Sequence, residues 1–173
     1  MLSTIILACD RRVPALSSHE CVARTLGALV PALVAGVVRD LVVATLSKDA
    51  IMRDIADEAG CGAAFSDTPD GILAAGLAAA RGDFLLVLRA GYAPGAGFIE
   101  QVGDFLNDGG GAALLRIEPD SLLTRLAPNS ARVEGIILPR SRVAPGAGDL
   151  RTLARGAGPT RTLAARLRPV GRS

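Results

Sequence analysis

Asp10, Arg11 and Arg12 follow directly on the apolar run Ser3–Cys9. A carboxylate at the mouth of a strand either faces a nucleotide or simply turns the chain. Two adjacent guanidinium groups there either meet phosphates or lie solvated in a loop. Tyr92, the single tyrosine, stands among Gly91, Pro94, Gly95 and Gly97. It reads as a loop residue able to stack on a base or a sugar. His19, the single histidine, has no partner that would make a Ser-His-Asp arrangement and reads as a helix-surface residue. Cys9, Cys21 and Cys61 fit no zinc spacing, and Cys9 and Cys61 read as small core residues. Asp149 precedes the helical stretch Leu150–Arg155, where its first reading is an N-cap.

The elements that must position these groups alternate between strand and helix. Ser3–Cys9 reads as a buried first strand, followed by a loop over Asp10–Ser17. Ser17 or Ser18 caps a helix through Cys21, Val22, Leu26, Leu29 and Val30. Leu41–Val43 is a second strand. Ser47 or Asp49 caps a helix with Ile51, Met52, Ile55 and Ala59 on one face, ended by Gly60. Gly62–Phe65 is a third strand, and Asp70 caps a small-residue helix over Gly71–Arg81. Phe84–Leu88 is apolar at every position, hence central and covered on both faces. A Gly/Pro loop, a helix over Phe98–Asn107, a Gly109–Gly111 turn and a strand over Ala112–Ile117 follow. Beyond Glu118 the pattern weakens. Ser121–Ala127 reads as a helical turn or two, Val133–Leu138 as a strand, and Leu150–Arg155 and Thr160–Leu167 as short helices. The expected fold class is α/β: a single domain with a mostly parallel sheet flanked by helices.

Composition narrows the function. Half of the 173 residues are hydrophobic, which provides a real core and excludes a disordered tail. Aromatics make up 3 %, so stacking platforms for single-stranded nucleic acid lack material, and no nucleic-acid partner is expected. Net charge is +2, yet arginines crowd the chain from Arg116 onward, facing only Glu118, Asp120, Glu134 and Asp149. That half either meets phosphates or an anionic membrane surface, or forms a solvated face. Three cysteines and no secretory or membrane-spanning run point to a cytoplasmic protein.

The run Gly71–Gly91 carries a resemblance. A small-residue helix with Gly76, Ala80 and Gly82 leads into the strand Asp83–Leu88, and Pro94 and Phe98-Ile99 open the next helix. Leu41-Val-Val-Ala-Thr-Leu-Ser-Lys-Asp49 matches a Val-Val-Asp-Asp-Gly-Ser-x-Asp segment. With the opening strand Ser3–Ala8, this order resembles glycosyltransferase family 2, a GT-A fold, over roughly the first two-thirds of the chain. The resemblance implies one GT-A-like domain over 1–173. Residues 1–117 would be its nucleotide-sugar-binding half and 118–173 a shortened acceptor-side part. It implies transfer of a sugar from a nucleotide-sugar donor to an acceptor hydroxyl.

The chain departs from that family at the polar positions. Ala44 and Thr45 stand where nucleotide-binding aspartates belong, and Arg89-Ala90-Gly91 replaces the Asp-x-Asp triplet. An arginine at a metal-ligand position repels a divalent cation, so a divalent metal is not expected and no other cofactor is assigned. Arg89 either pairs with the diphosphate in the metal's stead or caps a strand end. The resemblance places Asp10, Arg11, Thr45, Arg89 and Tyr92 at the donor site. It places Asp149, after Pro145–Gly148, as the base that deprotonates the acceptor. Two rival readings are an inactive GT-A pseudoenzyme acting as a binding or scaffold module, and a nucleotidyltransferase-like protein. The latter lacks a Gly-rich, lysine-bearing loop at Ala8–Pro14. A peripheral membrane or homodimer contact is the remaining partner expectation.

Overall fold

The computed structural model describes residues 1–8, 17–119, 126–127 and 130–171. The expected loop after the first strand and the expected helical turns at Ser121–Ala127 lie largely outside these residues. Three β-α-β passes build the first half. β1 (Leu2–Leu7) leads to α1 (Ser18–Val34), β2 (Val38–Leu46), α2 (Ala50–Glu58), β3 (Gly62–Ser66), a 3-10 turn at Pro69–Gly71, α3 (Ile72–Ala79) and β4 (Phe84–Arg89). β5 (Tyr92–Pro94), α4 (Phe98–Asn107), β6 (Ala112–Arg116) and β7 (Val133–Pro139) follow. The chain then forms α5 (Leu150–Gly156), β8 (Thr160–Thr162) and β9 (Leu167–Pro169).

The strands form a seven-stranded sheet in the order β3-β2-β1-β4-β7-β6-β8, and β5 pairs with β9 in a separate ribbon. β1, β2, β3 and β4 run parallel, and β7 runs antiparallel to both β4 and β6. Alternation along each strand divides the core between two faces. Leu2, Ile6, Val43, Leu86 and Leu88 face α1, α2 and α4. Ile5, Val42, Ala44, Leu85, Val87 and Ile136 face α3 and α5. β4 is apolar from Phe84 to Leu88 because it is the middle strand and is covered on both sides, as its sequence implies.

Local chemistry sets the helix ends. Ser17 caps α1 in a reciprocal box: its side chain accepts from the Glu20 amide, and Glu20 accepts from the Ser17 amide. Asp49 caps α2 by accepting from the Met52 amide at 3.0 Å. Arg140 closes α3 by donating to the carbonyls of Leu77, Ala80 and Gly82, satisfying acceptors that a helix end leaves open. Thr25 of α1 donates to the Tyr92 carbonyl and accepts from the Gly91 amide, which ties α1 to the β4–β5 connection.

Four expectations are corrected. Asp70 does not cap α3: Pro69 opens a 3-10 turn there, so Asp70 sits inside the turn and Gly71 precedes the helix without a side-chain cap. Tyr92 begins β5 rather than lying in a loop, because β9 supplies a pairing partner from the end of the chain. Thr160–Leu167 is not a helix. Thr160–Thr162 pairs with the edge of β6, and Leu167 begins β9, so long-range pairing overrides local propensity. On α2 the buried positions are Met52 and Ala56, while Ile51 is exposed. Among the described residues, no helix is long and apolar enough to cross a membrane.

The small residues of α3 serve close packing. A Cβ at Gly76 would lie 2.5 Å from Ile5 Cγ2 and 3.0 Å from Ala44 Cβ. Gly76→Ala is therefore expected to destabilise the fold. Overpacking of about 1–3 kcal/mol outweighs the ~1 kcal/mol that alanine gains in helix propensity. Urea denaturation checks this, and a variant as stable as the parent would contradict so close an approach of α3 to the sheet.

Candidate functional site

β1 to β4 all end at one edge of the sheet, the edge where open α/β sheets bind ligands. β7 runs the other way, so its start lies at this edge beside the end of β4. The register pairs Leu88 with Gly135, and the next step sets Arg89 beside Glu134. Arg89 Nε donates to Glu134 Oε2 at 2.7 Å, with the two side chains 17 % and 1 % exposed. Among the described residues, Glu134 Oε1 has no hydrogen-bond partner. Gly135 permits the close crossing, since a Cβ there would meet Leu88 and Leu115 side-chain atoms at 3.2 Å.

On this face, β4, the β3–α3 connection and the start of α5 enclose a cavity of about 190 Å³. Leu7, Ile72 and Leu73 supply apolar walls; Asp70, Arg89 and Asp149 supply charge. Asp149 is exposed and caps α5, its Oδ1 accepting from both the amide and the hydroxyl of Thr152 at 2.7 Å. The Thr152 hydroxyl and amide, and after them the Arg151 amide and the charge of Arg89, lower its pKa against the opposing effect of burial. Asp149 is thus an ionised carboxylate at neutral pH and a weak base.

The structure brings Arg89 and Asp149, far apart in the chain, to one cavity. Two other expected donor-site residues lie elsewhere. Thr45 is buried on β2 and shares the strand parity of Val43, on the face opposite Arg89. Tyr92 is 3 % exposed and packs into the same apolar cluster as α1 and α4. Its ring is core material because β5 is held against α1. Asp10 and Arg11 lie outside the described residues. Ala44 is fully buried beneath Gly76 of α3, where an aspartate would drive its carboxylate into the helix. His19 bridges α1 to α2, its Nε2 lying 2.9 and 3.1 Å from the Asp49 carboxylate oxygens.

Sequence reasoning missed Glu134. The available signal was a lone acid in the otherwise apolar Val133–Pro139, a pattern that a buried strand tolerates only with a partner.

The described residues at this edge do not fit a divalent metal. Among them, no group of three or more His, Cys, Asp or Glu side chains could hold an ion. Arg89, set by the family resemblance at the place of the Asp-x-Asp triplet, is a cation that opposes another cation.

No family model matches this sequence, and no curated protein matches it. Solved structures do resemble the fold. Glucosyl-3-phosphoglycerate synthase from Mycobacterium tuberculosis, in complex with Mn2+, uridine diphosphate and glucosyl-3-phosphoglycerate, superposes with a TM-score of 0.62. Identity is 18 %, over 99 % of this chain and 74 % of that one. HddC from Yersinia pseudotuberculosis gives a TM-score of 0.65 at 14 % identity, over 99 % and 94 % of the two chains. The 4-diphosphocytidyl-2C-methyl-D-erythritol synthase from Anaerococcus prevotii gives 0.57 at 11 % identity, over 83 % and 73 %. The chain therefore has the GT-A-like fold of nucleotide-diphospho-sugar transferases, as its strand and helix order implied.

The Arg89–Glu134 pair yields a stability test. Glu134→Leu alone removes the buried carboxylate to which Arg89 Nε donates and is expected to cost about 3–5 kcal/mol. The double variant Arg89→Met/Glu134→Leu is expected to match the parent or exceed it by about 1–4 kcal/mol. Urea denaturation separates these outcomes. A double variant as unstable as the single one would show that the pair holds the fold together.

Proposed function

We propose that the chain is a glycosyltransferase-like protein that binds a nucleotide-sugar at the carboxyl edge of its sheet and transfers the sugar to an acceptor hydroxyl. The observation that carries this reading is the convergence of Arg89 and Asp149 on one cavity, at the edge where this architecture binds ligands. A solved relative by fold, the M. tuberculosis synthase, is named for a glucosyl product and was captured with uridine diphosphate.

In this reading Arg89, fixed through Nε by Glu134, donates hydrogen bonds to the donor. Asp149 stands on the acceptor side, where its carboxylate accepts the proton of the attacking hydroxyl. The bond from the sugar's anomeric carbon to the departing nucleoside diphosphate breaks as the bond to the acceptor oxygen forms. Residues 1–117 would then bind the donor, and 118–173 would supply Glu134 and the acceptor-side carboxylate. No step is assigned to a metal, because the described residues at this edge do not fit one.

A second reading draws on a specific observation. Both charged groups have structural partners, Glu134 holding Arg89 and Thr152 holding Asp149. An inactive binding or scaffold module with the same fold would keep these contacts for architecture alone.

Calorimetry with UDP- and GDP-sugars, without added divalent metal, decides between them. The expected result is binding by the parent and binding at least about tenfold weaker in Arg89→Met/Glu134→Leu, the ~1.4 kcal/mol of one charge-assisted hydrogen bond. Asp149→Asn, still a competent N-cap, is expected to bind but not turn over. Absence of binding to every nucleotide-sugar would favour the module.

A further inference from the structure

We propose that a second cavity, at the edge where β1 to β4 begin, binds a free α-amino acid with an apolar side chain. It lies across the sheet from the carboxyl-edge site, and the proposal stands independently of the donor reading.

The cavity holds about 320 Å³ and is bordered by the starts of β2 and β3, the ends of α1 and α2 and the segment after α3. The chain departs from regular strand geometry here. Leu2 pairs with Val38 and Ser3 with Asp40, so Arg39 is the extra residue of a β-bulge, a feature rare in parallel pairs that re-aims side chains. Strict alternation would put Val38 and Asp40 on one face. Instead Val38 and Leu41 share the cluster under α1 and α2, while Asp40 and Val42 line the cavity.

Both signs of charge meet at this cavity. Asp40 is half-buried, and its Oδ1 is buried with no hydrogen-bond partner among the described residues. A cation brought to that carboxylate offsets a desolvation that the protein leaves uncompensated. α1 and α2 also end here, at the caps Ala35 and Ala59, and neither has a basic residue in its last turn. Their negative dipole ends add to the pull on a cation. Arg39 and Arg81 line the same cavity, both exposed and, among the described residues, outside any ion pair. Guanidinium groups bind carboxylates through paired hydrogen bonds. Leu33, Leu41 and Val42 supply apolar wall.

An ammonium, a carboxylate and an apolar side chain on one carbon match these features together. The volume stands at the lower end of the roughly 300–1,000 Å³ of ligand pockets, which suits a molecule of that size. UDP-glucose bears a diphosphate and no ammonium, and does not match.

The probes are leucine, N-acetyl-leucine and leucinamide, titrated into the full chain with the backbone amides of Leu41, Cys61 and Gly62 as the readout. Leucine is expected to shift these amides saturably. N-acetyl-leucine, without the ammonium, and leucinamide, without the carboxylate, are each expected to bind at least about tenfold weaker, the loss of one charge-assisted contact. Asp40→Asn, which keeps the size of the side chain, is expected to weaken leucine to the same degree, as is Arg39→Gln/Arg81→Gln. Arg155→Gln, exposed on α5, is expected to leave leucine binding unchanged. If Asp40→Asn fails to fold, the arginine variant, at exposed positions, carries the test. Absence of saturable shifts with leucine would overturn the proposal, as would either derivative binding as tightly as leucine. Neither result bears on UDP-glucose binding at the carboxyl edge, which is followed separately at the amides of Leu73 and Leu150.

Discussion

The antiparallel insertion of β7 beside β4 is the constraint on which the site depends. Were β7 parallel to β4, its end, Pro139, would lie at the carboxyl edge, and Glu134 would lie at the opposite edge, away from Arg89. Because it runs backward, its first residues meet the last residue of β4. A buried carboxylate and a strand-end guanidinium then come within 2.7 Å. The same reversal carries the chain to Arg140 at the opposite edge, where its guanidinium gathers the open carbonyls at the end of α3. One strand direction thus fixes both the charged pair at the ligand edge and the seating of the helix that walls the cavity.

The pair is a poor source of fold stability. Desolvating two charges costs several kcal/mol per ion, and their attraction offsets this only when the remaining polar atoms are satisfied. Glu134 Oε1 is buried without a partner among the described residues, so the compensation is incomplete. The core around the pair is well built without it: Leu85, Val87, Ile136 and Leu138 are fully buried on the same face. The ion pair is better explained by what it does to the cavity. It orients Arg89 through Nε and sets a buried carboxylate 2.7 Å from it.

How much of this the sequence disclosed depends on the range of the interactions. The uninterrupted apolar run of β4 announced a central strand, and the Phe98–Asn107 helix is seen with those bounds, because burial periodicity is local. The Asp149 cap was legible for the same reason, its partner lying three residues away. Glu134 was not, since a lone acid in a strand has meaning only once the neighbour and its direction are known. Tyr92 misled because glycines and a proline around it signal a loop, while its actual partner strand, Leu167–Pro169, lies at the far end of the chain. Thr160–Thr162 failed likewise: three residues carry no periodicity, and edge pairing with β6 decided their state.

The central claim is that ligand enters at the carboxyl edge, between α3 and α5. The described residues hold a second cavity, of about 320 Å³, at the opposite edge, bordered by Arg39–Leu41, Gly60–Gly62 and Arg81. Size alone would favour that one. Crystallising the protein with an intact nucleotide-sugar and locating the ligand in the density tests the claim most directly. The account predicts a sugar or ribose ring against Leu73 and Arg89, with the Arg89–Glu134 contact intact. Ligand seated at Arg39 and Cys61 would contradict it.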